Sequence, residues 1–215
     1  MKNKHDFDMV HGTQEVFRVL LEALANPGRV LSIRSQAGQF TAQGCWLAPA
    51  ITLLDTETGF FWDGDEQTRE EICFLTGAPQ VPLEEADFVL LSGGAAARDE
   101  ALRVLSQVKG GTHLDPHRSA LLFIAAGTGG GEQPEAPLFL MGPGIPPEGR
   151  RIDLFPAEAV WCRARDERGF EYPCGVELIF LREDFSLAAL TRKTVFAWDD
   201  VSGSSITDGP VDVLN

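Results

Sequence analysis

DFVLL, at residues 87–91, is a short run of strand-forming residues in which four apolar side chains follow one another. A half-buried strand alternates apolar and polar residues, whereas a strand covered on both faces is apolar throughout. Continuous apolarity over this length therefore predicts a strand inside a sheet whose two faces are both covered. Helices are the usual cover for such strands, so we expect helical segments on either side of it in the chain.

Helical and extended segments alternate through the first half of the chain. In residues 13–25 the apolar side chains form one broad stripe, with Thr13 placed to cap the start and Asn26-Pro27-Gly28 placed to end the helix. Further predicted helices cover residues 44–55, 65–77 (with Ile72, Phe74 and Leu75 facing inward), 98–109 and 156–168. Predicted strands cover residues 29–34, 60–62, 119–126, 138–141, 176–181 and 186–190.

Because helices and strands alternate early while strands cluster late, we expect a three-layer α/β/α sandwich with a mixed sheet. The strands at 119–126 and 138–141 are predicted to be neighbours joined by a glycine-rich hairpin loop. A chain of 215 residues can bury one large core, so residues 1–198 are expected to form a single α/β domain. Residues 199–215 are rich in Asp, Ser and Gly, and we expect them to be an acidic, flexible tail.

Charge and composition exclude some classes of partner. A net charge of −14 disfavours nucleic acids and anionic lipid, whose binding needs clustered Lys and Arg. The apolar runs are far shorter than the roughly 20 residues that span a bilayer. The N-terminal residues contain no apolar stretch typical of a secretory signal. We therefore expect a cytoplasmic protein.

Metal-binding patterns are weak in this sequence. Four cysteines, Cys45, Cys73, Cys162 and Cys174, are scattered without a C-x-x-C pair and are expected to be small buried hydrophobes. His113 and His117 flank Asp115, but Pro116 disfavours a helical face that would bring the two imidazoles together. We expect a polar turn before a strand there, and we predict no metal site.

The segment PLFLMGPGIPPEGRR, at residues 137–151, allows two interpretations. Gly142 and Gly144 could let an anion approach the backbone, with Arg150 and Arg151 as nearby cations. Three prolines remove N–H donors that such a cradle would use, which favours a simple turn. Gly127 to Gly131 lacks the Gly-Lys-Ser/Thr of a phosphate loop and is predicted to lie in the hairpin loop.

A third candidate is Thr191-Arg192-Lys193-Thr194, which places two cations between two hydroxyls at the end of the last predicted strand. Donors of this kind suit an anion, and they equally suit a solvated strand end or a salt-bridged interface. The candidate anion-binding residues are therefore Gly142, Gly144, Arg150, Arg192, Lys193 and Thr194. No spaced acid–base pair and no G-x-S-x-G elbow is present, so we name no catalytic residue and no cofactor.

Several segments in order resemble a known family. FRVLLEALANPG (17–28), Gly111-Thr112 with Pro116, LMGPGI (140–145), YPCGVELIFL (172–181) and TRKT (191–194) together are similar to the H subunit of the phosphonate carbon-phosphorus lyase system. Two positions depart from the family pattern: Glu177 stands where the family usually has Asp, and TRKT where it has Pro-Arg-Thr-Thr. The geometry of these two positions is therefore the least certain part of the resemblance.

The resemblance implies a part in bacterial phosphonate use. It implies partners, the G, I and J subunits of a core assembly and functionally the L subunit, and a homodimer. With the G, I and L subunits the H subunit supports transfer of ribose triphosphate from ATP to an alkyl phosphonate, and the J subunit then breaks the carbon-phosphorus bond. It also implies a fold like the large domain of pyridoxal-phosphate aminotransferases without the cofactor site, and a subunit inactive alone.

Two alternatives stay open at this point. The chain could be an independent enzyme or binder acting on a phosphorylated ligand, or a pyridoxal-phosphate binder that has kept the fold. The sequence alone leaves open whether the chain is an enzyme at all. Because no catalytic residue can be named from it, a scaffold or interface subunit is the interpretation that fits best.

Overall fold

Six α-helices and nine β-strands form the part of the chain that the computed structural model describes, residues 6–40, 43–93, 97–126 and 136–198. The helices are α1 (His11–Ala25), α2 (Arg34–Ala37), α3 (Gly44–Leu53), α4 (Glu66–Thr76), α5 (Arg98–Gln107) and α6 (Pro156–Arg168). The strands are β1 (Leu31–Ser32), β2 (Phe60–Trp62), β3 (Phe88–Leu91), β4 (Leu121–Ala125), β5 (Ala136–Met141), β6 (Arg150–Leu154), β7 (Glu177–Leu181), β8 (Ser186–Leu190) and β9 (Val195–Trp198). Within the described ranges, none of the helices has the length and apolarity needed to cross a membrane.

The apolar run at residues 87–91 forms β3 and lies inside a six-stranded sheet, as its composition predicts. The strand order is β1-β8-β7-β4-β3-β2, and β3 pairs in parallel with both β2 and β4. Strand β4 continues in parallel with β7, after which β8 and β1 follow as antiparallel neighbours. The mixed sheet is therefore confirmed.

Both faces of this sheet are buried, each against its own set of helices. Leu122 and Ile124 of β4 join a core with side chains of α5 and α6. Phe123 of the same strand points the other way, into a core shared with α1, α3 and α4. Strand residues alternate between faces, so a strand must be apolar throughout to serve two cores.

A second, three-stranded antiparallel sheet has the order β6-β5-β9. Its central strand, β5, buries Leu138 and Leu140 in the same core as α5 and α6. Strand β6 alternates in the usual way of a half-covered strand, because Leu154 is buried while Arg151 and Asp153 are exposed. The sequence analysis missed both β6 and β9, since polar side chains interrupt the first and the second lies next to the expected tail.

The predicted hairpin between the strands at 119–126 and 138–141 is wrong. Strand β4 pairs with β3 and β7, whereas β5 pairs with β6 and β9, so the two strands belong to different sheets. The pattern of two adjacent apolar strands does not specify their pairing, which non-local contacts decide. Residues 127–135, which include Gly127 to Gly131, and the expected tail at 199–215 lie outside the described residues.

Three local predictions also need correction. Helix α1 begins at His11 because the Asp8 carboxylate accepts hydrogen bonds from the N–H groups of Val10 and His11, at 2.8 and 2.9 Å. The Thr13 hydroxyl instead donates to the Met9 carbonyl, so Thr13 is not the cap. Phe74 of α4 is 72% exposed, because it lies about 200° around the helix from the buried Ile72.

The strand predicted at residues 29–34 is reduced to β1. Only Leu31 and Ser32 pair with β8. The Ile33 N–H donates to the Phe185 carbonyl at 3.0 Å, and the chain then turns into the short helix α2. The β1 edge of the sheet is therefore very short, which leaves little backbone open for pairing with other chains.

Candidate functional site

The Thr191–Thr194 segment forms the turn by which the chain leaves the six-stranded sheet and enters the small one. It connects β8 to β9, and the Thr194 N–H donates to the Thr191 carbonyl at 2.9 Å. The two threonine hydroxyls lie 3.1 Å apart and hydrogen-bond to each other. The side chains singled out in the sequence therefore stand at the junction of the two sheets. We refer to residues 191–194 as the junction turn.

Arg192 ties the junction turn to the large sheet. Its Nε and its backbone N–H each donate to the Glu177 carboxylate at 2.6 Å. The same guanidinium donates to the Ser119 hydroxyl at 2.6 Å and to the Pro116 carbonyl. Its side chain is 17% exposed and that of Glu177 is 20% exposed. Arg192 thus makes these hydrogen bonds to groups within the fold.

Lys193 is the exposed cation of the junction turn. Its ammonium lies 5.3 Å from the centre of the Tyr172 ring, which is itself 69% exposed. A cation over an aromatic face is attracted to the ring's negative quadrupole. Lys193 and Tyr172 together form an accessible cationic and aromatic patch at this end of the molecule.

Gly142 and Gly144 allow close contact between the 142–151 loop and its surroundings. At Gly142, φ is +131°, and an added Cβ would lie 2.7 Å from the Lys193 carbonyl oxygen. At Gly144, φ is +79°, and an added Cβ would lie 2.2 Å from the Ala25 carbonyl oxygen at the end of α1. Both glycines are explained by backbone conformation and tight approach.

The loop itself is a folded corner. The Ile145 N–H donates to the Gly142 carbonyl at 3.2 Å, and the Gly149 N–H donates to the Pro146 carbonyl at 2.8 Å. The interpretation of this stretch as a turn is confirmed, whereas its contact with an anion stays a prediction.

Arg150 holds the end of α1 against the small sheet. Its guanidinium donates to the carbonyl oxygens of Asn26 and Pro27, at 3.0 and 2.6 Å. Like Arg192, it is used for tertiary contacts. Arg151, by contrast, is exposed on β6.

Arg165 is the residue of this site that the sequence analysis missed. It lies on α6 and is 7% exposed, with its guanidinium donating to the carbonyls of Thr191 and Thr194 at 2.8 and 2.6 Å. The guanidinium also stacks 4.1 Å from the centre of the Phe196 ring. Burial lowers the pKa of this arginine from its usual value. One sequence signal existed: Arg165 lies one helical turn after the apolar Trp161, which is buried.

Two cavities flank the junction turn. The first has a volume of about 310 Å³ and is lined by Leu24, Pro143, Gly144, Arg192 and Lys193, among others. The second has a volume of about 190 Å³ and lies on the α6 side, lined by Arg165, Asp166, Cys174 and Thr194, among others. We call them the α1-side cavity and the α6-side cavity. Arg192 contributes to the walls of both.

The segments that carry the family resemblance converge on Arg192. It contacts Pro116 and Glu177 directly, and an added Cβ on Gly175 would lie 3.1 Å from its own Cβ. The two departures from the family pattern meet here as well, because the longer Glu177 carboxylate is the one that binds Arg192. Thr191, in the place of the family's proline, supplies a hydroxyl to Thr194.

The other candidate sites give no metal centre. His113 Nε2 lies 3.7 Å from Glu171 Oε2, and Pro116–Arg118 forms a short 3₁₀ turn before β4. The prediction of a polar turn before a strand is confirmed there. In the described part of the chain, no group of three or more His, Cys, Asp and Glu side chains is arranged to hold a metal ion.

The four cysteines are free thiols, and Cys162 is fully buried while the other three are partly buried. Burial raises the pKa of Cys45 to about 11, and it raises the pKa of Cys162 as well. A thiol with a raised pKa carries little of the reactive thiolate at neutral pH. Cys162 and Cys45 therefore pack as small hydrophobic side chains, as expected.

Comparison with known proteins gives one family match. The model of a family described as "Bacterial phosphonate metabolism protein (PhnH)" matches residues 5–197. No curated protein matches the chain. The matched range includes the junction turn and the residues that line both cavities.

Proposed function

Because this chain belongs to the PhnH family of bacterial phosphonate metabolism proteins, we propose that it is a non-catalytic, accessory subunit of the carbon-phosphorus lyase system. In this role it acts in the cytoplasm and supports the transfer of ribose triphosphate from ATP to an alkyl phosphonate. The observation that carries the proposal is the family match over residues 5–197.

The use of the polar groups at the junction turn supports an accessory role. Arg192 is bound by Glu177, Ser119 and Pro116, and the Thr194 hydroxyl is bound by Thr191. A nucleophile or general base needs a side chain that can reach a substrate atom. Side chains that hydrogen-bond mainly to one another are better suited to fixing the shape of a surface.

The proposed partners are the G, I and J subunits, functionally the L subunit, and a second copy of this chain. Helix α1 offers a surface for such contacts, because Val10, Phe17 and Leu21 are 72%, 48% and 56% exposed. Their spacing of seven and then four residues places them along one side of the helix. An exposed apolar stripe of this kind is typical of a protein interface.

The fold proposed from the resemblance is that of the large aminotransferase domain without its cofactor site. Helices on both faces of a mixed sheet agree with that architecture. The two lysines within the described residues also agree with it. Lys109 is paired with Asp87 at 2.7 Å and Lys193 lies exposed over Tyr172, so the amine of each lysine already contacts a group of the fold.

Anion binding at the junction turn is a second candidate function. Lys193 is exposed at the wall of the α1-side cavity, together with Gly144 and Arg192. The phosphate groups of ATP or a phosphonate would be the anions. Gly142, Arg150 and Thr194 would contribute by holding the loop and the turn in place, since their polar contacts are internal.

Co-expression with the partner subunits tests the accessory role. A tagged form of this chain is expected to co-purify with the G, I and J subunits through size-exclusion chromatography. Phe17→Asp places a charge on the exposed stripe of α1, and Phe74→Asp places one on a phenylalanine of α4 that is more exposed still. We expect the first substitution to weaken either self-association or capture of the partners and the second to leave both unchanged.

Elution of the wild-type chain alone, free of all three partners, would contradict the accessory role. If both phenylalanine variants behave like the wild type, the partner surface lies elsewhere than on α1.

A further inference from the structure

Arg165 is a buried cation that forms no ion pair with an acidic side chain among the residues that the structure describes. Two partly buried arginines differ from it, because Arg182 is paired with Glu158 and Arg192 with Glu177. Carbonyl dipoles solvate a guanidinium without neutralising its charge, so Arg165 keeps a net positive charge in the interior.

The α6-side cavity opens directly onto this charge. Arg165 is part of its wall, with Thr194, Cys174 and Gly175 as neighbours. Two of the arginine's N–H groups are used by the carbonyls of Thr191 and Thr194, and an arginine has further N–H donors in the same plane. Phe196 covers one face of the guanidinium and fixes its plane, so the unused donors are held in one orientation.

The other charged residues of the cavity wall are Asp166 and Arg192. Arg192 is paired with Glu177. Asp166 lies at the exposed rim, where burial raises its pKa and the nearby charge of Arg165 opposes that shift. Arg165 is therefore the buried cation of this wall that has no ion pair within the described residues.

We propose that the α6-side cavity binds a small tetrahedral phosphorus oxyanion, a phosphate or an alkyl phosphonate group, with the Arg165 guanidinium as its counter-ion. A volume of about 190 Å³ is enough for such a group and too small for a nucleotide. Planar guanidinium groups bind phosphate-type oxygens through paired N–H donors. The choice of phosphorus over other oxyanions rests on the proposed function, whereas the position of the site rests on the cavity and on Arg165.

Titration of the purified full-length chain with inorganic phosphate, methylphosphonate and sulfate tests this site. Isothermal calorimetry is expected to give saturable binding of phosphate or methylphosphonate that is tighter than the binding of sulfate. Arg165→Gln should weaken that binding at least about tenfold, because it removes the counter-ion. Asp166→Asn should tighten it about threefold, because it removes an opposing charge from the wall. Arg163→Gln, on the exposed side of the same helix, should have no effect.

Arg165→Gln could unfold the turn that Arg165 holds, so Asp166→Asn provides the independent measurement. Lack of saturable binding up to about 20 mM would overturn the proposal, because even weak sites saturate in that range. So would unchanged affinity in Asp166→Asn, or tighter binding of sulfate than of both phosphorus anions.

A loss of binding in Lys193→Gln with no change in Asp166→Asn would also overturn it and would assign the anion to the α1-side cavity. The titration uses the chain without its partners, so its failure is distinct from a failure of the proposed subunit function.

Discussion

Arg192 is the residue on which the arrangement of the candidate site depends most. It joins the junction turn to Glu177 on β7 and to Pro116 and Ser119 ahead of β4. The sequence identified Arg192 as a cation of interest, but it could not identify these partners, which lie 15 to 76 residues away along the chain. Contacts at such separations follow from the strand order and leave no local pattern.

Replacement of Arg192 by Met is expected to lower the free energy of unfolding by about 3 kcal/mol, because it leaves the mostly buried Glu177 carboxylate without its cation. Arg98→Met removes an ion pair with Glu167 whose two side chains are 57% and 42% exposed, and it should cost less than about 1 kcal/mol. Urea denaturation of both variants measures the difference. Equal losses would show that Arg192 is no more important to the fold than a surface ion pair.

Asp65 is the second residue with a measurable role. It caps α4, and its carboxylate accepts hydrogen bonds from the Thr68 N–H and hydroxyl, both at 2.8 Å. These bonds lower the pKa of Asp65 from 3.8. When folding lowers the pKa of a carboxyl, the resulting stabilisation of the fold is complete at pH values above the unfolded-state pKa. It is lost as the pH falls toward the folded-state pKa.

Asp65→Ala should therefore lower the free energy of unfolding by about 1 kcal/mol at neutral pH. The difference from the wild type should shrink when the same urea titration is repeated at decreasing pH below 3.8, because the stabilisation by the wild-type carboxylate is lost as the pH falls toward its lowered pKa. Asp65→Asn keeps a capping oxygen and serves as the control with little loss at neutral pH. A difference that grows on acidification would contradict this assignment of the cap.

At the scale of elements, local sequence signals predicted the helices and strands that begin or end at typical capping or turn residues. Asp65 precedes α4 and Gly77 follows it, Pro156 begins α6, and the Phe60–Trp62 strand is observed as predicted. The errors arose where pairing decides the structure. Strands β4 and β5 look like neighbours in the sequence, yet β4 pairs with β3 and β7 while β5 pairs with β6 and β9. Strand β6 could not be predicted from the sequence, because only the structure shows that one of its faces packs on the core.

The 142–151 corner is the element that fixes the distance between α1 and the junction turn. Gly144→Ala is expected to cost about 2–4 kcal/mol in the free energy of unfolding, because the new Cβ would lie 2.2 Å from the Ala25 carbonyl oxygen at positive φ. Gly169→Ala is the matched control, since φ is +57° there and the nearest heavy atom is 3.8 Å away. It should cost only about 1 kcal/mol. Equal costs, measured by thermal or urea unfolding, would mean that the corner has room to move.

At the scale of the whole molecule, the sequence predicted a mixed sheet covered by helices, and the strand order confirms the mixed sheet. It did not predict the second sheet. That sheet matters for function, because the junction turn and both cavities lie where the two sheets meet. The six candidate residues were identified from two short segments of the sequence. The contacts of Arg165 required the fold, since its position one helical turn after Trp161 does not identify Thr191 and Thr194 as its partners.

Under the proposed function, this member of the PhnH family is a subunit that contributes surfaces to a larger assembly. The proposal holds that its own side chains are insufficient for the reaction and that the assembled system needs the chain. These two statements can be separated experimentally. The chain tested alone and the chain tested together with the other subunits are expected to give different results.

The most direct test is phosphorus NMR of ATP mixed with methylphosphonate. We expect no ribose-phosphonate product with this chain alone, product with the G, H, I and L subunits together when this chain serves as H, and loss of product when only this chain is omitted. Product formed by the chain alone, or unchanged product after its omission, would contradict the account.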